Sequence, residues 1–167
     1  SSNSLSSQGI EIGDINMDGN LDLVVGNNNN NLELYLNTGS TLEASPSWVM
    51  LEQNDTRGIA IGDMDGDGDL DLAVANHGNP NSVFINQMTT SGYTYDQGPS
   101  WTSSNSLKSH GVAWADIDGD GDEDLAVANY QGEPEIYSST GATLSSTDTW
   151  SNSVTVVAGD LIVWHNL

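Results

Sequence analysis

Oxygen-bearing side chains fall at every second position in three stretches of this chain. The first holds Asp14, Asn16, Asp18, Asn20 and Asp22, the second Asp63, Asp65, Asp67, Asp69 and Asp71, and the third Asp116, Asp118, Asp120, Asp122 and Asp124. In each, a glycine (Gly19, Gly68, Gly121) follows the third member. A hard cation takes six to eight oxygens at about 2.3–2.6 Å, and one short loop can wrap it only if alternate residues point inward around a sharp turn. The five residues of each stretch fit ligand positions one, three, five, seven and nine. Position seven offers its backbone carbonyl, and position nine binds directly or through a water. An oxygen-only set without His or Cys favours Ca²⁺ over Zn²⁺ or Cu²⁺, and Mg²⁺ rarely uses an all-protein cage. The pattern therefore predicts about three Ca²⁺ ions, one per loop.

The elements that position these loops are strands. An EF-hand would carry a bidentate Glu at position twelve, where Val25, Val74 and Val127 stand. The runs after each loop, Leu-Val-Val-Gly and twice Leu-Ala-Val-Ala, are short, apolar and partly β-branched, unlike the helices that flank EF-hand or dockerin loops. A thrombospondin type 3 arrangement needs cysteine, and the chain has none. A solvated Asp-Gly turn would have no reason to repeat five oxygen positions and a glycine three times in one register.

Composition narrows the partners. The chain has 167 residues, a formal charge of −22 and only two basic side chains, Arg57 and Lys108. Such a surface excludes nucleic acid. Three divalent ions would bring the charge from −22 to −16. Crowded loop carboxylates repel one another without metal, so binding and folding should be coupled. Loops with a Kd near 10⁻⁴ M fill at millimolar Ca²⁺, outside the cell, and each filling adds on the order of 1 kcal/mol. The acidity also fits a saline habitat. No apolar run approaches about eighteen residues, so no membrane span is expected. A chain opening at Ser1 fits a processed or excised segment.

Asp14, Asp63 and Asp116 lie 49 and 53 residues apart, a blade-like period. Ahead of the loops, residues 9–13, 58–62 and 111–115 read as innermost strands. After them come second strands at 21–26, 70–75 and 125–128, then third strands at 32–36, 82–86 and 135–137. A last element carries Trp48, Trp101 or Trp150. Four short strands per unit, joined by Gly/Asn/Ser turns, make a blade. The expected fold is all-β: three four-stranded antiparallel propeller blades at about 8–53, 57–106 and 110–157 in a single repeat domain, 1–167. A C-terminal segment, 158–167, is read either as the first strand of a further blade, with Asn166 in the place of the first loop aspartate, or as half of a hairpin turned at Gly159-Asp160.

The string Gly58-Ile59-Ala60-Ile61-Gly62-Asp63-Met64-Asp65-Gly66-Asp67-Gly68-Asp69-Leu70-Asp71-Leu72-Ala73-Val74-Ala75-Asn76 resembles the FG-GAP/VCBS repeat, the calcium-loop blade of integrin α-subunit propellers and many bacterial surface proteins. The third copy is nearly as similar. The first departs, with Asn16 and Asn20 for aspartates and Met17 for glycine, which predicts weaker binding there. The resemblance implies a β-propeller whose blade hairpins are held by calcium. It implies much less about a ligand.

Closed propellers use about four to eight blades, so three leave two faces and unpaired edges uncovered. The expected partners are other blades, from copies of the same chain in a ring or filament or from a longer parent chain, with a glycan or protein ligand also open. Trp48, Trp101 and Trp150 recur at one repeat position, which favours a slot between blades over a sugar platform. Trp114 and Trp164 replace isoleucines and read as core. His77 and His110 stand where other copies have unrelated residues. No nucleophile elbow, phosphate loop or His-rich metal cluster is present, and the paired carboxylates are taken by the cation, so no enzyme is expected. Asn54-Asp55-Thr56 is an N-glycosylation sequon. The sequence thus reads as an extracellular or cell-surface calcium-binding module for structure, adhesion or self-assembly. The alternative is a lectin-like propeller using Tyr35, Tyr130 or Tyr137 as exposed aromatics, or an accessory domain of a polysaccharide-acting enzyme.

Overall fold

The computed structural model describes residues 6–88, 92, 95–141 and 143–147. Twelve strands among them form three separate antiparallel sheets, each meandering in chain order. Blade 1 comprises β1 (Ser7–Gly13), β2 (Asp22–Asn27), β3 (Glu33–Tyr35) and β4 (Trp48–Val49). Blade 2 comprises β5 (Thr56–Gly62), β6 (Asp71–Asn76), β7 (Ser82–Phe84) and β8 (Trp101–Thr102). Blade 3 comprises β9 (Ser109–Ala115), β10 (Asp124–Asn129), β11 (Glu135–Ser139) and β12 (Leu144–Thr147). The expected propeller-blade architecture is therefore present, and among the described residues the sheets do not close into a ring. The 158–167 segment, Trp150 and Trp164 lie outside the described residues.

Side-chain alternation gives each blade two unlike faces. In blade 2, Ile59 pairs with Val74, and Ile61 with Leu72, which in turn opposes Phe84. That bulky face packs on Val24, Leu34 and Trp48 of blade 1 in one apolar core. The other face carries Gly58, Ala60, Ala73 and Gly62, small residues that admit blade 3. A methyl group at Gly58 would lie 2.8 Å from the Gly111 Cα and 2.9 Å from the His110 carbonyl oxygen. One at Gly62 would lie 2.6 Å from the Trp114 ring. Glycine is required here by the approach of the next blade. Burying Ile59, Leu72, Val74 and Phe84 of the bulky face contributes about 1.5–3 kcal/mol each, as an upper bound against an extended unfolded chain.

The tryptophans on the fourth strands do bridge blades. Trp48 meets Phe84 edge-on at 5.5 Å and Tyr95 at 5.6 Å. Trp101 meets Tyr137 edge-on at 4.9 Å and donates its indole N–H to the Leu144 carbonyl at 3.1 Å. Blade 3 departs from the expected pattern. Trp48 pairs with Leu34 and Trp101 with Val83, but the corresponding Ile136 pairs with Thr147. The β11–β12 turn is shorter, so the fourth strand arrives before Trp150. Tyr137 needs correcting too: it is 2% exposed. Burial under Trp101 pushes its hydroxyl pKa up to about 12, so it offers no platform to a sugar. Asn54, the sequon residue, is also buried.

A second repeated device closes the opposite end of each hairpin. The Asn ending each second strand accepts from the hydroxyl that opens the first strand: Ser7 to Asn27 at 2.8 Å, Thr56 to Asn76 at 3.0 Å and Ser109 to Asn129 at 2.7 Å. Its amide then donates to a carbonyl across the next turn, at Asn31, Pro80 or Glu133. A strand bulge accompanies each clip.

Candidate metal centres

Each aspartate loop connects the first strand of a blade to its second, and its backbone turns on glycines with positive φ. Gly19, Gly68 and Gly121 sit at φ 88°, 92° and 101°. Two residues earlier, Gly66 and Gly119 sit at 74° and 80°, and the first loop forces Met17 to 56°. The amides made available by this turn fold inward onto the carboxylates. Position one accepts the N–H of the turn glycine: Gly19 to Asp14 at 2.8 Å, Gly68 to Asp63 at 3.0 Å and Gly121 to Asp116 at 3.2 Å. Position five accepts from the N–H two residues on: Asn20 to Asp18 at 2.8 Å, Asp69 to Asp67 at 3.1 Å and Asp122 to Asp120 at 3.0 Å.

The structure gathers positions one, three and nine. Asp63, Asp65 and Asp71 each present an oxygen within 4.8 Å of the others, as do Asp116, Asp118 and Asp124. The first loop carries Asp14, Asn16 and Asp22 at the same sequence positions, with an amide in the middle. Positions five and seven also make other contacts. Asp18, Asp67 and Asp120 cap the turn. Asp69 accepts the Met88 N–H at 2.8 Å, and Asn20 and Asp122 lie against Gly39 and Gly141. This leaves the backbone carbonyl as the group that position seven has to offer.

Position nine has a role that alternate spacing cannot reveal. Asp22, Asp71 and Asp124 are fully buried at the head of the second strand. Each accepts one N–H from the second loop residue, Ile15, Met64 or Ile117, at 2.8–3.0 Å. The other oxygen of each accepts from just beyond or at the end of the third strand, from Asn37, Asn86 or Ser139, at 2.8–2.9 Å. One carboxylate therefore fastens the loop to the third strand. The neighbouring blade also reaches in: Glu123 accepts the Asp63 N–H at 3.0 Å, and Asn86 donates to the Ile15 carbonyl at 3.1 Å.

Negative charge is crowded in the second loop. Burial, reinforced by the charges of Asp65 and Asp69, pushes Asp71 up to about 7 despite its two amide donors. Burial and then the Asp67 charge raise Asp65, and burial with the charges of Asp67 and Asp65 raises Asp69. In the third loop, desolvation and the charges of Asp120, Asp124 and Asp116 raise Asp118. The buried Asp63 Oδ1 and Asp69 Oδ1 have no hydrogen-bond partner. A buried acceptor with nothing to accept from is costly. A cation beside Asp63, Asp65 and Asp71 would satisfy it, so the donor set fits a hard metal ion. Away from the loops, His110 stacks on Tyr130 at 5.3 Å and sits 5.3 Å from His77, an aromatic row.

The family model described as an FG-GAP-like repeat matches residues 14–74 and 63–127. No curated protein matches the chain. Among solved structures, the crystal structure of BBS1N in complex with ARL6DN, soaked with lead, is similar over 80% of this chain and 48% of that one. The likeness has 16% identity and a TM-score of 0.36, and this chain spans about half the length of that structure.

Proposed function

The chain belongs to the FG-GAP-like repeat family, and we propose that it is a non-catalytic, calcium-stabilised propeller module of an extracellular or cell-surface protein. The observation that carries this reading is the second loop. Three carboxylates converge there within 4.8 Å, one of them with a buried oxygen that nothing in the protein satisfies. Asp63, Asp65 and Asp71 would hold the ion in blade 2, Asp116, Asp118 and Asp124 in blade 3, and Asp14, Asn16 and Asp22 in blade 1. The bound ion supplies positive charge and ligand geometry. The residues themselves present the oxygens, cap the turn and tie the loop to the third strand. No helix among the described residues is long and apolar enough to cross a membrane. Loops with a Kd near 10⁻⁴ M would fill where Ca²⁺ is about millimolar, which supports a working compartment outside the cell.

Calorimetric titration of the chelated chain with Ca²⁺, in parallel with thermal melts, tests this reading. Two to three ions bound and a Tm that rises with Ca²⁺ well above Mg²⁺ are expected. Identical melting in saturating Ca²⁺ and in EDTA would overturn it.

A further inference from the structure

The residue between the seventh and ninth loop positions is a leucine in the first two copies, Leu21 and Leu70, and a glutamate, Glu123, in the third. Leu70 packs on blade 1, where a methyl group at Gly13 would lie 3.3 Å from its Cδ1. Glu123 makes the equivalent approach to blade 2, where a methyl group at Gly62 would strike its carboxylate. Its effect differs, because a leucine has no oxygen to offer. Glu123 Oε2 accepts the backbone N–H of Asp63 at 3.0 Å. Asp63 occupies the first position of the second loop, and its side chain is one of the three that converge there. Its Oδ2 accepts the Gly68 N–H at 3.0 Å, and its buried Oδ1 has no hydrogen-bond partner. The arm that reaches across is itself anchored. Asp124, the next residue, is fully buried and accepts the N–H groups of Ile117 and Ser139 at 2.8 and 2.9 Å.

We propose that Glu123 of blade 3 is a positioning residue for the metal site of blade 2. It fixes the backbone of Asp63, and so the direction of that carboxylate, and it adds a negative charge beside the loop. The second ion is therefore bound tightly only while blade 3 is docked. This inference rests on the calcium reading above. A group that orients a ligand without touching the metal typically accounts for about 10–100-fold in affinity. Coupling of this kind is reciprocal: an ion in the second loop strengthens the seating of blade 3 by the same factor by which that seating strengthens the ion. The leucine at the junction of blades 1 and 2 gives the first loop no such acceptor.

Titration calorimetry with Ca²⁺ on the full 167-residue chain, beside thermal melts in EDTA and in saturating Ca²⁺, tests the proposal. Glu123→Leu, which installs the residue found at the other junction, should weaken one site about tenfold. Glu123→Gln keeps an oxygen for the Asp63 N–H and should lose less. The loss from Glu123→Leu should persist when the third loop is disabled by Asp118→Ala and vanish when the second is disabled by Asp65→Ala. The opposite pattern would overturn the proposal, since Glu123 would then serve its own loop. Unchanged affinity with equal falls in Tm in EDTA and in Ca²⁺ would overturn it too, leaving only a structural contact. Circular dichroism checks folding; should Glu123→Leu unfold, Glu123→Gln is judged in the same two backgrounds, where no loss confined to the second loop overturns the proposal. A wild type that binds no Ca²⁺ overturns the calcium reading itself, whereas a wild type that binds and a Glu123→Leu variant that binds equally well overturn this inference alone.

Discussion

The first and second aspartate loops share a backbone path and differ in how they disperse their negative charge. In the first, Asn16 and Asn20 donate their amides to Asp18 at 3.1 and 2.8 Å. Asp18 is held below the usual carboxylate range, chiefly by the Asn20 backbone N–H and then by Asn16. In the second, the same neighbours are Asp65 and Asp69, and burial, with repulsion added, raises both. The first loop is internally compensated, while the second leaves its repulsion for the proposed cation to answer. At one spacing, then, an amide in place of a carboxylate changes how a loop disperses its charge.

The largest expected effect tests what the loops share. Asp71→Ala should destabilise the calcium-loaded chain by about 3–5 kcal/mol in urea unfolding, because two buried amides lose their acceptor. Asp22→Ala should cost a similar amount, and a much smaller loss would mean that the buried aspartate is a ligand only. Next, Asp67→Ala or Asp120→Ala should weaken Ca²⁺ binding about tenfold and lower Tm with it, about 1.4 kcal/mol per site. Titration calorimetry beside melting would show whether the two fall together.

The third prediction concerns pH in EDTA. Asp71 is raised in the folded state, so the favourable contribution of its protonated form is fully present below about pH 4 and is lost as pH rises through about 7. The metal-free chain should therefore become less stable from about pH 4 to 7, and saturating Ca²⁺ should flatten that slope. A slope unchanged by Ca²⁺ would mean that no cation answers the buried charge. The smallest effect belongs to the first loop alone. Met17→Gly should stabilise it by about 1 kcal/mol by relieving the positive φ, and Gly66→Met should cost at least as much in the second. A neutral Met17→Gly in thermal melts would show the strain to be negligible.

Much of this was legible in the residues. The aspartate ladder, its glycine and the short apolar runs placed the first and second strands of every blade to within about two residues, since period-two alternation is a local property. What escaped depends on partners distant in sequence. Asp71 looks like any other ladder member until Met64 and Asn86 are seen donating to it. The clip between Thr56 and Asn76 joins residues 20 apart, and its only linear trace is the Ser or Thr that opens each unit two residues before its glycine. Tyr137 passes for a surface aromatic until Trp101 of the preceding blade covers it. Trp150 suggested a third bridging tryptophan, but the shorter turn puts Thr147 in that register.

The bulky-to-small polarity of each blade also bears on how such a chain changes over generations. A unit that carries its own key on one side and its own keyhole on the other can be duplicated or deleted whole by recombination between repeats, and the junction left behind matches without compensating substitutions. A duplication or loss of half a unit would set key against key and be rejected by packing alone. Blade number is therefore free to drift in integer steps, while the residues at each junction, Gly58 and Ile59 among them, stay tied to their neighbours.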